Sequence, residues 1–143
     1  MTVTLEILHI AIAAAWFGHK LLIPGDIRRS VHAGQAESEA LLTRMRRAER
    51  FGIITGLGTL LSGCALMWVV GINTVDVGIW VGLGLVLAAL ALGLTMGRPA
   101  SRGLRAAITN GDRVDATIAG GQISRALGLE SLLWLGALVS MVV

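Results

Sequence analysis

The chain has 143 residues, a net charge of +3, 55% hydrophobic residues and only 15% charged ones. Soluble domains carry about 25% charge, so a mean hydropathy of +0.76 built from long uncharged runs excludes an ordinary water-soluble fold. The single cysteine, Cys64, excludes an intrachain disulfide and a cysteine-built metal site, and the basic residues lack the interleaved aromatics of a nucleic-acid surface.

Four apolar stretches are each long enough to cross a hydrocarbon core of roughly 30 Å, which takes about 20 helical residues. Span one covers residues 3–23 and carries Glu6, His9, Trp16 and His19. No basic segment precedes it, so it reads as a retained span rather than a cleaved signal. Pro24-Gly25 is expected to end it, because proline cannot continue the hydrogen-bond ladder. Residues 36–50 then read as a helix with a narrow stripe of Leu41, Leu42, Met45 and Ala48. It either lies along a lipid surface or continues into span two as one long helix.

Span two covers residues 51–72 and span three residues 77–96, both without charge. The tight turn at 73–76 makes them an antiparallel pair. Span three is expected to end at Gly97-Arg98-Pro99. Asn110-Gly111 signals a turn, and Asp112 can cap a helix that starts at Arg113 and runs toward span four, residues 123–143. Span four carries Arg125 near its start and Glu130 just inside.

All twelve Lys and Arg residues fall between Lys20 and Arg50 or between Arg98 and Arg125. The positive-inside rule places loops 24–50 and 97–122 in the cytoplasm and both termini outside. The expected fold is therefore all-α, a single membrane domain over residues 1–143. It is a four-transmembrane-helix bundle with N- and C-termini on the outer side of a bacterial cytoplasmic (inner) membrane. Trp68 and Trp80 flank the outer turn as interfacial aromatics. Gly52, Gly56, Gly78, Gly82 and Gly93 recur at helical spacing and are candidate packing positions, where small residues let backbones approach.

Titratable groups at membrane depth are costly, so each is a functional candidate. His9 lies about 9 Å inside span one. Glu6 shares its face three positions earlier and can form a carboxylate–histidine unit with it. That unit suits a haem iron, a quinone or a proton relay, with Trp16 as a further lining residue; the plain alternative is a satisfied interfacial histidine. His9 is also the one candidate metal ligand. Glu130 comes to the depth of His19 or Lys20, which makes His19 and Glu130 a candidate intramembrane pair. There is no HExxH, no CxxC and no nucleotide-binding glycine motif.

Leu8-His9-Ile10 followed by Ala15-Trp16-Phe17-Gly18 resembles the first span of DUF2269-like small bacterial integral membrane proteins. More distantly it resembles the copper-resistance protein D family and the HemJ-like protoporphyrinogen oxidases. The basic stretch Arg44 to Arg50 and the Arg-bearing segment before the last span look similar too. In the HemJ-like oxidases the first-span histidine helps to bind haem beside a lysine from a later span. The resemblance thus singles out His9, while this chain has no lysine beyond Lys20. No His/Met/Cys cluster along one helix matches copper transport.

The expected function is that of an integral membrane protein without catalytic machinery, an accessory or structural subunit of a membrane complex. Its neighbours would be lipid and other subunits or copies of itself. The alternative is a haem- or quinone-binding redox protein that uses His9. A transporter would need paired broken helices or midplane acids, cues the spans lack.

Overall fold

The computed structural model describes residues 2–142, so the expected end of span four at Val143 lies outside the described residues. Five α-helices follow in order: α1 (Thr2–Ala33), α2 (Gln35–Val70), α3 (Val77–Leu92), α4 (Arg98–Thr109) and α5 (Arg113–Val142). A 3-10 turn (Ile72–Thr74) links α2 to α3, and a π-helical turn (Gly93–Gly97) fuses α3 to α4 without a break. The result is four rods, each long and apolar enough to cross a membrane. The start of α1, the end of α5 and the 3-10 turn share one end, the terminal end; the connections Gly34 and Asn110–Asp112 mark the other, the basic end.

The rods are longer than the expected spans, and two expected breaks are absent. Pro24 does not end α1, which runs on to Ala33. Proline removes one donor, the N–H that would meet the Lys20 carbonyl, and the ladder resumes beyond it because Ile27 and Val31 gain burial there. The chain turns instead at Gly34, whose φ of 117° favours glycine. Likewise Gly97-Arg98-Pro99 does not stop the third rod. Arg98 N–H reaches back to the Gly93 carbonyl, and this wider turn absorbs Pro99, which has no N–H for Thr95. Residues 36–50 continue into span two within the single helix α2. Asp112 caps α5 as its type suggests, accepting from the N–H groups of Val114 and Asp115 at 3.0 Å each.

Thirty-six residues of α2 reach about 54 Å at 1.5 Å per residue, well beyond a 30 Å core. The surplus of every rod collects at the basic end and forms a compact apolar core. Leu41, Leu104 and Ile108 are fully buried there, with Ile27, Val31, Met45, Ala107 and Ala116 around them. What looked like loops 24–50 and 97–122 is thus a packed helical layer. Its α1–α2 seam is tied by Arg44, which donates to Asp26 (3.0 and 3.2 Å), Ser30 (2.7 Å) and Glu37 (2.8 Å). Asp26 and then Glu37 raise the guanidinium pKa above its ordinary value.

Packing between the rods differs from the expected neighbour scheme. α2 packs on α1, α3 on α5, and α1 on α5; α2 and α3 run antiparallel but scarcely touch. The small residues explain it. A Cβ on Gly52 would meet the His19 ring at 3.1 Å, and one on Gly56 the Trp16 ring at 3.2 Å, so this ridge faces α1. A Cβ on Gly78 would lie 2.0 Å from the Ser140 carbonyl oxygen, and one on Gly82 2.4 Å from Met141 Cε, so that ridge faces α5. Each ridge is spent on its own partner, and α2 and α3 are left apart.

Candidate functional site

The gap between α2 and α3 is a groove of about 420 Å³ in the terminal half of the bundle, floored by α1 and α5. Its walls are almost wholly apolar: Leu60, Leu66, Leu83, Val86, Trp134 and Leu138 contribute from three helices. Among the described residues, His9 and Glu6 of α1 are its only ionisable lining residues. The size suits a small-molecule pocket, where a few polar groups orient a ligand inside an apolar shell.

His9 is held by α2. Its Nδ1 lies 2.8 Å from Ser62 Oγ, and its ring rests on Gly63, where a Cβ would come within 3.2 Å. The Ser62 hydroxyl has one proton, and the Gly58 and Thr59 carbonyls lie 2.7 and 3.1 Å from its oxygen. With the hydroxyl donating to one of these carbonyls, Nδ1 carries the imidazole hydrogen toward Ser62 and Nε2 is an acceptor; with the hydroxyl turned to Nδ1 the roles reverse. This second-residue support orients the ring. Glu6 is exposed on the groove and is not the hydrogen-bond partner of His9.

A second polar cluster lies nearer the basic end. Glu130 of α5 is 5% exposed, and its Oε2 accepts from the Lys20 ammonium of α1. The ammonium also sits 4.7 Å from the centroid of the Trp16 ring, a favourable cation–π position. The other oxygen, Oε1, faces the π turn: a Cβ on Gly93 would be 2.8 Å from it. Glycine at 93 thus makes the room for the carboxylate. One turn further along α5, Trp134 stacks on Phe17 with ring centroids 4.4 Å apart. The carboxylate and the ammonium thus serve as each other's partner.

The candidate residues are therefore divided. Glu6 and His9 meet at the groove. Trp16 does not line it; it is buried against Gly56, Val86 and Ala137, because α1 turns that face into the bundle. Glu130 pairs with Lys20 rather than with His19. The His19 Nδ1 instead lies 3.2 Å from the Ala15 carbonyl, and its ring packs edge-on against Phe51. The five singled-out glycines all sit at helix contacts or, for Gly93, at the carboxylate. Ser62 and the π turn went unnoticed in the sequence. A serine in a long apolar helix, at the depth of His9 once α1 and α2 are antiparallel, was the available signal for the first. Among the described residues no three His, Cys, Asp or Glu side chains converge as a metal site.

No protein family, curated protein or solved structure matches this chain.

Proposed function

We propose that this protein is a multi-pass protein of a bacterial cytoplasmic membrane that binds a quinol-type ring in its outer-half groove, with His9 as the polar contact. The observation that carries the reading is the His9–Ser62 hydrogen bond. With the Ser62 hydroxyl turned to its own helix carbonyls, Nε2 is an acceptor on a groove that is apolar apart from Glu6 and Thr59. A quinol hydroxyl donates to such a nitrogen, its ring fits apolar walls, and an isoprenoid tail leaves through the gap between α2 and α3 into lipid. The oxidised quinone offers only carbonyl acceptors, so the reduced form binds better. Concentration of all twelve Lys and Arg residues at the basic end supports placing that end in the cytoplasm.

Haem is the second reading, favoured by the resemblance of the first span. Its propionates need cationic partners, however, and among the described residues the groove is lined by none; Glu6 would repel them. The nearest lysine in sequence, Lys20, is about 16 Å along α1 from His9 and is already neutralised by Glu130.

The test is anaerobic calorimetric titration of a short-chain ubiquinol into the protein in nanodiscs, with empty nanodiscs as the partition control. Saturable binding is expected, weaker by fivefold or more for the oxidised ring, and lost in His9→Phe. Equal binding by His9→Phe overturns the reading. A Soret band in the purified protein that disappears in His9→Ala assigns the groove to haem instead. Absence of both leaves the accessory-subunit function.

A further inference from the structure

A different groove, of about 450 Å³, runs between the C-terminal part of α1 and the N-terminal part of α5 at the basic end. Pro24, Ile27 and Val31 form one wall; Ala116, Gly120 and Gly121 form the other. Gly120 closes the floor, where a Cβ would come within 2.8 Å of Ile27 Cγ2, whereas a Cβ on Gly121 would meet nothing within 4 Å. The trough is thus apolar and open along Gly121. On its rim stand Arg28 and His32, both exposed, and no acidic side chain lines it.

The charge of this rim is not answered by the protein. Among the described residues the ion pairs of the basic end engage Arg44 with Asp26 and Glu37, and Arg105 with Glu49. Arg28 has none. Arg113 closes the far end of α1 by donating to the His32 carbonyl at 3.1 Å, and it too has no carboxylate partner. The depth of the groove matters as much as its charge. Its walls begin at Pro24 and Ser124, next to the expected span edges Ile23 and Ile123. Arg28 is five residues beyond Ile23, about 7 Å along the helix. The head-group layer of a bilayer is roughly 5–7 Å thick on each side.

We propose that this trough binds an anionic phospholipid. An acyl chain lies along the Gly121 side, and the phosphate meets Arg28 and His32. An exposed arginine without a carboxylate partner, beside an apolar trough that reaches back to the expected span edge at Pro24 and Ser124, matches a lipid with a negative head group. It matches neither a soluble anion nor a zwitterionic lipid. The site is separate from the His9 groove, at the opposite end of the bundle.

The experiment uses the full chain, purified from vesicles of equal parts dioleoyl-phosphatidylglycerol and dioleoyl-phosphatidylcholine, with retained lipids counted by native mass spectrometry. Preferential retention of at least one phosphatidylglycerol is expected. Arg28→Gln lowers that retention about fivefold, the effect of one surface cation on anionic lipid. Gly121→Leu, which fills the trough without changing charge at an exposed helical position, abolishes it. Arg46→Gln, which removes an exposed arginine away from the trough, leaves it within twofold of wild type. Equal retention of the two lipids overturns the proposal. So does full retention by Gly121→Leu, or a loss in Arg46→Gln as large as in Arg28→Gln. Displacement by millimolar inorganic phosphate also overturns it, by making the ligand a free anion.

Discussion

Lys20 on α1 and Glu130 on α5, 110 positions apart, neutralise each other inside the bundle, with the carboxylate backed by the π turn at Gly93. Removing one partner strands the other charge in an apolar setting, which costs about 3 kcal/mol. Lys20→Met is therefore expected to lower unfolding stability in detergent by about that amount. Lys20→Met combined with Glu130→Leu should recover most of the loss, since apolar replacement of a whole buried pair is often neutral. Equal melting of the two variants would show that the pair is not coupled.

The α3–α5 seam makes a sharper packing prediction. Gly78→Ala places a methyl 2.0 Å from the Ser140 carbonyl oxygen, a backbone atom that cannot rotate away. The helices must separate, and a loss of about 1–3 kcal/mol is expected. Gly84 has open space around it. There Gly84→Ala is expected to be neutral or to stabilise by about 0.5–1 kcal/mol through helix propensity. Paired thermal melts compare the two directly.

Burial is deepest at the basic end, so core truncation should hurt most there. Leu104 is 0% exposed, whereas Leu61 is 68% exposed on the outer surface of α2. Leu104→Ala is expected to cost about 2–5 kcal/mol. Leu61→Ala should cost far less, because its side chain contacts no protein core in the folded state. Chemical unfolding of both variants in the same micelle tests this.

Ser62 positions the His9 ring. Ser62→Ala removes the hydrogen-bond partner of Nδ1, and the imidazole is expected to change its tautomer balance. The nitrogen-15 shifts of labelled His9 report this without any ligand present. Quinol affinity should fall about threefold to tenfold, the worth of one ordinary hydrogen bond. An unchanged shift pattern would mean that Ser62 does not set the tautomer.

Much of the architecture is legible in the residues. Long uncharged runs require helices that satisfy their own backbone groups, and this marks all four rods. Asp112 announces the start of α5 by its short acceptor side chain. The glycines at 52, 56, 78 and 82 announce close approach, though not which helix approaches. Pro24 and Pro99 mislead, because proline deletes one hydrogen bond locally while burial of Ile27, Val31 and Leu104 rewards continuation of the helix. The Glu6–His9 reading came from spacing along one helix; the actual partner of His9, Ser62, lies on another.

For the Lys20–Glu130 pair the sequence by itself determined that a carboxylate and several basic groups enter the apolar rods, and at roughly what depth. Period, length and charge are local properties, and they suffice for that. Only the tertiary structure decided that Glu130 meets Lys20 and not His19, that α2 and α3 stand apart around a groove, and that Gly93 makes room for the carboxylate. Those outcomes depend on the rotation and register of helices against one another. They are set by the sum of many small contacts between distant segments, which no single stretch of chain contains.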